Sequence, residues 1–154
     1  MLPQLYSSPL SDYNYFLSLK RQSPHKQVRV INDHYNSDIQ QAIIRNSKIV
    51  IGERYHSIVF AINNGVPFIS LSYEHKMVGL LQTLGMDGSL VEIQKIFNSD
   101  SSNEMIYVLN KICNLLKNIS GKPSAHNAKK IVNQGFNNMV ASIEALMKNE
   151  SIND

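Results

Sequence analysis

The sequence predicts an α/β fold, a Rossmann-like parallel sheet of three to four strands flanked by helices. Three observations carry this expectation. Short β-branched or apolar runs (QVRVI, KIVIG and PFISL) alternate with stretches of helical periodicity. The run Ile49–Gly52 is unbroken in its apolar character, as in a parallel strand buried on both faces. The connections are short, and consecutive parallel strands need a helical crossover between them.

Each element has its own warrant. Asp12–Arg21 reads as a short helix with Tyr13, Phe16, Leu17 and Lys20 on one stripe, and Ser23-Pro24 ends it because the residue before proline is pushed out of the helical region. Gln27–Ile31 reads as the first strand and Asn32–Asn36 as a polar loop. Ser37 is the expected N-cap of a helix ending near Asn46, with Gln40 completing a capping box. Lys48–Gly52 is the next strand. Arg54–Asn64 follows as a helix burying Ile58, Val59, Ala61 and Ile62, and Asn63-Asn64-Gly65 is its stop. Pro67–Leu71 is the third strand, Glu74–Leu84 a helix closed by Gly85, and Ser89–Ile93 a short fourth strand. Ser101–Asn118 and Pro123–Lys148 are long amphipathic helices separated by the breaker Ser120-Gly121-Lys122-Pro123, and Ser151–Asp154 is a polar tail.

Composition bounds the class. A chain of 154 residues, 43% apolar and 18% charged, suits one domain with a real core and argues against disorder. We read residues 1–154 as a single Rossmann-like domain, with 1–24 a poorly defined N-terminal segment and 101–148 the C-terminal helices. One cysteine excludes an internal disulfide framework and a cysteine-based zinc site, and suits a reducing compartment. A net charge of +3 is too weak to argue for nucleic acid. The apolar runs are too short to cross a bilayer, and Met1-Leu2-Pro3-Gln4-Leu5-Tyr6 has neither the basic nor the apolar part of a signal peptide. A doubly wound domain usually has five or six strands, so the shortfall predicts either a piece of a larger enzyme or completion by oligomerising.

Open α/β sheets bind ligands beyond the carboxyl ends of their strands. Two such ends carry cations just before a helix: Glu53, Arg54, Tyr55 and His56 after KIVIG, and Ser72, Tyr73, Glu74, His75 and Lys76 after PFISL. A helix N-terminus adds unpaired N–H groups and partial positive charge. Arg54, His56 and Lys76 together suit a small, multiply charged anion. Arg54 and His56 converge only if one of them lies in extended backbone at the junction, which Gly52 makes feasible.

Gly52-Glu53-Arg54-Tyr55-His56-Ser57-Ile58, then Ala61, Gly65-Val66-Pro67, Tyr73 and Lys76 resemble the signature of the polysaccharide pyruvyl transferase family. That signature is an Arg-x-His at a strand–helix junction, an apolar helix, a Gly-x-Pro turn and a Tyr-x-x-Lys. Tyr55 stands where the family usually has Leu. The resemblance runs from about Val28 to Gly85 and fits the helical C-terminus less well. It implies the C-terminal half of a GT-B-like fold of two Rossmann-like halves, and transfer of a pyruvyl group from phosphoenolpyruvate to a sugar of a surface polysaccharide. It also implies His56 and Lys76 as catalytic residues and Arg54, Tyr73 and Ser72 as substrate-binding ones. Arg54 suits bidentate carboxylate or phosphate binding, and Lys76 a compact phosphate contact. His56 can protonate the enolpyruvyl methylene carbon or the leaving phosphate. No cofactor beyond the donor substrate is implied. The expected partners are phosphoenolpyruvate and a glycan or glycolipid acceptor, with an N-terminal-half partner or a second copy of the chain, in the cytoplasm or peripherally at the inner face of the membrane.

Two alternatives stay open: a non-catalytic assembly or binding module, and a GT-B glycosyltransferase half holding a nucleotide-sugar with the same cations. Other residues have plainer readings. Gly65 and Pro67 are a helix stop and a strand entry, Glu53 an exposed junction residue, and Asp33 and His34 a polar loop. His25, His75, His126 and the Lys129-Lys130 pair are solvated. Cys113, within the pattern Ile106, Leu109, Ile112, Leu116, reads as a core thiol. No histidine–carboxylate spacing supports a metal.

Overall fold

A computed structural model describes residues 1–5, 11–31, 33–97, 102–118 and 125–150. Asn32, Ser101, the breaker Ser120–Pro123 and the tail Ser151–Asp154 lie outside the described residues, as do the side chains of His126 and Lys129. The elements are α1 (Asp12–Gln22), α2 (Ser37–Arg45), β1 (Val50–Gly52), α3 (Tyr55–Asn63), β2 (Phe68–Ser72), α4 (His75–Thr83), β3 (Leu90–Glu92), α5 (Gln94–Phe97), α6 (Ser102–Lys117) and α7 (Ala125–Glu150). The sheet is parallel, in the order β1-β2-β3, with Gly52 opposite Ser70 and Ser70 opposite Leu90. Helices cover both faces, so the architecture is α/β and Rossmann-like.

The two faces have separate cores. On one, Ile44 of α2, Ile58, Ala61 and Ile62 of α3, Met77 and Leu81 of α4 and Ala128 of α7 pack with Phe68 and Leu90. On the other, Val108 of α6 packs on Ile69 and Val91, supported by Ile49, Leu71, Ile93, Ile96, Ile112 and Leu115. Both crossover helices end alike. Val66 N–H bonds back to Ala61 O (2.9 Å) and Gly65 N–H to Ile62 O (3.1 Å), and Met86 and Gly85 repeat the pattern after α4. This closing motif needs a left-handed residue, and Gly65 and Gly85 supply it at φ 65°.

Four expectations are corrected. Gln27–Ile31 is not a strand of the sheet: Val28 closes a turn on His25, and the backbone beyond it bonds to the chain's first residue, with Ile31 N–H donating to Met1 O (3.0 Å) and the Met1 amino group to Arg29 O. Its β-branched residues favour extended backbone without dictating which segment pairs with it. β1 is therefore an edge strand, and it is not buried on both faces: Ile51 is 49% exposed, because α6 packs over β2 and β3. The N-cap of α2 is Asn36, whose side chain accepts from Ile39 N–H (3.0 Å). Ser37 is the first helical residue, and Gln40 reaches the carbonyl of Tyr35 instead of closing a capping box. Cys113 is exposed, as are Ile106, Leu109 and Leu116. α6 carries two apolar stripes, and the one facing the sheet is Val108, Ile112 and Leu115.

Candidate functional site

The site begins at Gly52. A Cβ there would overlap Ser57 Oγ and lie 2.9 Å from Ile58 Cδ1. Its absence lets the first turn of α3 sit directly on the end of β1. The Arg54 carbonyl anchors that turn, accepting from Ser57 N–H (3.1 Å) and Ser57 Oγ–H (2.6 Å). Arg54 is the N-cap of α3 at φ −78°, ψ 138°, so it lies in extended backbone at the junction, as convergence with His56 requires. Its side chain makes no cap hydrogen bond to the helix.

The guanidinium turns instead to Asp12 at the start of α1. Nη2 lies 2.7 Å from Oδ1, and Nε lies 3.4 Å from Oδ2. Asp12 Oδ2 also accepts from the backbone N–H groups of Gln4 and Leu5, each at 3.0 Å. Burial alone would push the Asp12 carboxyl up. The hydrogen bonds from Arg54, Gln4 and Leu5 and the Arg54 charge outweigh it and hold the carboxyl below its ordinary range. Arg54 is held further into its charged form by the bond to Asp12, against its own burial, with the charges of Asp12 and Glu53 adding to it.

The second corner adjoins the first because β1 and β2 are neighbours. Ser72 is only 2% exposed, and its hydroxyl donates to Glu74 O (2.9 Å). It ties the strand–helix junction from just beneath the surface. Tyr73 is half-buried. Burial, a hydrogen bond to the Glu74 side chain and the charge of Glu74 push its phenol up, and Glu53 adds to them, while the Arg54 charge opposes. Lys76 Nζ stands 4.5 Å from the centroid of the Tyr55 ring, a cation–π contact that joins the α4 corner to the α3 corner. His56 is exposed, with its ring edge-on to Tyr55 at 6.0 Å and 6.2 Å from Phe60.

Arg54, His56, Tyr73 and Lys76 thus share the carboxyl end of the sheet, with Tyr55 touching both Lys76 and His56. The sequence reading missed Asp12. An aspartate in a first helical turn is ordinary in itself, and nothing local links position 12 to position 54. The shallow hollow of about 170 Å³ lined by Asp38, Gln41, Ala42, Arg45 and Asn64 lies at the other end of α3, away from these groups. Among the described residues, no group of three His, Cys, Asp or Glu side chains gathers to hold a metal.

Residues 2–75 match the family model described as polysaccharide pyruvyl transferase. The amylovoran biosynthesis protein AmsJ of Erwinia amylovora is 29% identical over 72 residues, covering 47% of this chain and 17% of that protein. The chain therefore spans far less than the length of that curated relative. No solved structure matches it. The matched stretch, just under half of the chain, holds Arg54, His56, Ser72 and Tyr73 and ends one residue before Lys76, and both comparisons support the resemblance to the polysaccharide pyruvyl transferase family.

Proposed function

We propose that this chain is a member of the polysaccharide pyruvyl transferase family and supplies the phosphoenolpyruvate-binding corner pair of a pyruvyl transferase in polysaccharide synthesis, with phosphoenolpyruvate as donor and a sugar as acceptor. The observation that carries the reading is a charged guanidinium at the end of β1, inside the family-matched segment, with His56, Tyr73 and Lys76 on the same end of the sheet. In this reading Arg54 binds the carboxylate or phosphate and Lys76 the phosphate. A proton given to the methylene carbon turns it into a methyl group and leaves an oxocarbenium-like centre at C2. Two sugar hydroxyls add there, one of their protons restoring the acid and the other passing to the phosphate as its bond to C2 breaks, and the ketal and inorganic phosphate leave. His56 suits the proton transfer because an imidazole ring nitrogen can both donate and accept a proton. Ser72 contributes by fixing the α4 junction. AmsJ is named for amylovoran biosynthesis, which supports a polysaccharide acceptor here. No helix among the described residues is long and apolar enough to cross a membrane. We place the reaction in the cytoplasm, or peripherally at the inner face of the membrane where a glycolipid acceptor would lie.

Calorimetry with phosphoenolpyruvate tests this, on the chain alone and with a family N-terminal half. Binding should weaken at least about tenfold in Arg54→Ala, or about 1.4 kcal/mol. Equal affinity in wild type and variant removes the reading. Nucleotide-sugars in the same series test the glycosyltransferase alternative, which predicts stabilisation by them and none by phosphoenolpyruvate.

A second reading, a non-catalytic assembly module, has its own observation: Ile51 on the edge strand and Met105, Ile106, Tyr107 and Leu109 on α6 are exposed apolar side chains. It predicts self-association or capture of a partner half. A strict monomer in sedimentation equilibrium that also fails to bind the family N-terminal half would exclude it.

A further inference from the structure

The pairing of Arg54 with Asp12 joins residues 42 positions apart. The carboxylate is well buried, with its side chain 13% exposed against 36% for Arg54. It is anchored from both sides: Oδ2 by two backbone N–H groups, and Oδ1 by Arg54 Nη2. The backbone N–H of Asp12 in turn donates to Leu5 O (2.9 Å), and Ser11 Oγ caps α1 by accepting from Asn14 N–H (3.3 Å). Asp12 is thus a fixed post to which the longer arginine side chain is tethered.

The tether uses one edge of the guanidinium, Nε and Nη2. Arginine carries five N–H donors in a planar fork. Nη1 has no hydrogen-bond partner among the described residues. An untethered arginine loses substantial side-chain freedom when it binds an anion. A guanidinium already gripped along one edge has lost that freedom before the ligand arrives. Two roles for the carboxylate compete, holding the guanidinium in place and blocking it. Blocking requires Asp12 to swing aside, which would strand the Gln4 and Leu5 N–H groups that it satisfies. The geometry favours holding.

We propose that Asp12 is a positioning residue, fixing Arg54 by its Nε/Nη2 edge so that the opposite edge takes up a carboxylate or phosphate oxygen. The inference rests on the reading of Arg54 as an anion-binding residue. It is tested on the full chain by calorimetry with phosphoenolpyruvate and, separately, with inorganic phosphate, in wild type, Asp12→Asn, Asp12→Glu, Arg54→Ala and the Asp12→Asn/Arg54→Ala double variant. Asn can still accept from Gln4 and Leu5, so Asp12→Asn keeps that anchor while weakening the hold on Arg54. It should weaken binding roughly three- to tenfold, with no further loss once Arg54 is gone. Asp12→Glu should recover part of the loss. In nuclear magnetic resonance spectra the Arg54 Nε–H signal, protected from exchange in wild type, should broaden or vanish in Asp12→Asn while the backbone amide spectrum is retained.

The outcomes separate. Binding unchanged in Asp12→Asn with the Arg54→Ala loss intact overturns the positioning role alone. Tighter binding in Asp12→Asn overturns it in favour of a blocking carboxylate. Wild type that binds neither probe refutes the Arg54 reading and this inference with it.

Discussion

Replacing Gly52 with alanine tests whether α3 truly sits on the end of β1. The φ of Gly52 is not positive, so backbone strain does not enter. The obstacle is space: the new methyl would overlap Ser57 Oγ and stand 2.9 Å from Ile58 Cδ1 and 3.3 Å from Ser57 Cβ. The isoleucine tip can move, but Ser57 Oγ is committed to the Arg54 carbonyl at 2.6 Å. Overpacking a close contact costs about 1–3 kcal/mol. The lower chain entropy of an unfolded alanine returns about 0.4–1 kcal/mol. A net loss of about 1–2 kcal/mol should appear in urea unfolding as a midpoint lowered by roughly 0.5–1 M with an unchanged slope. Because the clash centres on one oxygen, Gly52→Ala should cost about 1 kcal/mol less in a Ser57→Ala background. Gly79→Ala is the control: it lies within α4 with nothing among the described residues within 4 Å of a new Cβ, and it should stabilise by about 0.5–1 kcal/mol. If Gly52→Ala is as stable as wild type, or if Ser57→Ala gives no relief, the close seating of α3 on the strand is wrong.

Tyr55→Leu restores the residue usual in the family and removes the ring under Lys76. It should weaken phosphoenolpyruvate binding by about 0.5–1 kcal/mol, a two- to fivefold effect in calorimetry, and a larger loss would mean that the ring also touches the ligand. Ser70 is wholly buried and its Oγ has no hydrogen-bond partner among the described residues. Ser70→Ala should therefore be neutral or raise stability by up to about 1 kcal/mol in thermal or urea unfolding, and a clear loss would reveal a bond not seen here. The Asp12 carboxyl is held below its ordinary value of 3.8 when folded, so below about pH 4 the unfolded chain takes up the proton first. Its contribution is complete above that range and lost as pH falls through the folded value, which makes stability rise with pH across the window. Asp12→Asn should flatten that part of the acid unfolding curve, and an unaltered curve would show that the pairing adds no stability.

Much of the central unit was legible because its signals are local. The β1–α3–β2–α4 run follows from short apolar segments, from Asn63-Asn64-Gly65, and from the Gly85 stop, where one residue's conformational freedom decides the outcome. The errors have a common physical origin. Periodicity identifies an apolar stripe but not what covers it, so the reading grouped Ile106, Leu109, Ile112, Cys113 and Leu116, of which only Ile112 faces the sheet, beside Val108 and Leu115. β-Branched residues at 27–31 favour extended backbone, but pairing is settled elsewhere, here by Met1. Asn36 and Ser37 are both good caps, and their adjacent order did not reveal which would serve. At the site, the cations after β1 and β2 could be read from position alone. The grip of Asp12 on Arg54 could not, because it joins segments that only the finished fold brings together.

That separation of 42 positions has a consequence for assembly. Contacts between distant parts of a chain require a large loop to close, and they tend to form after the local turns. The two corners can therefore exist before the arginine is braced, and a partly folded chain would display all the right residues with a slack guanidinium. Correct orientation of that one side chain thus reports that the molecule has closed on itself, much as a keystone shows that an arch is complete.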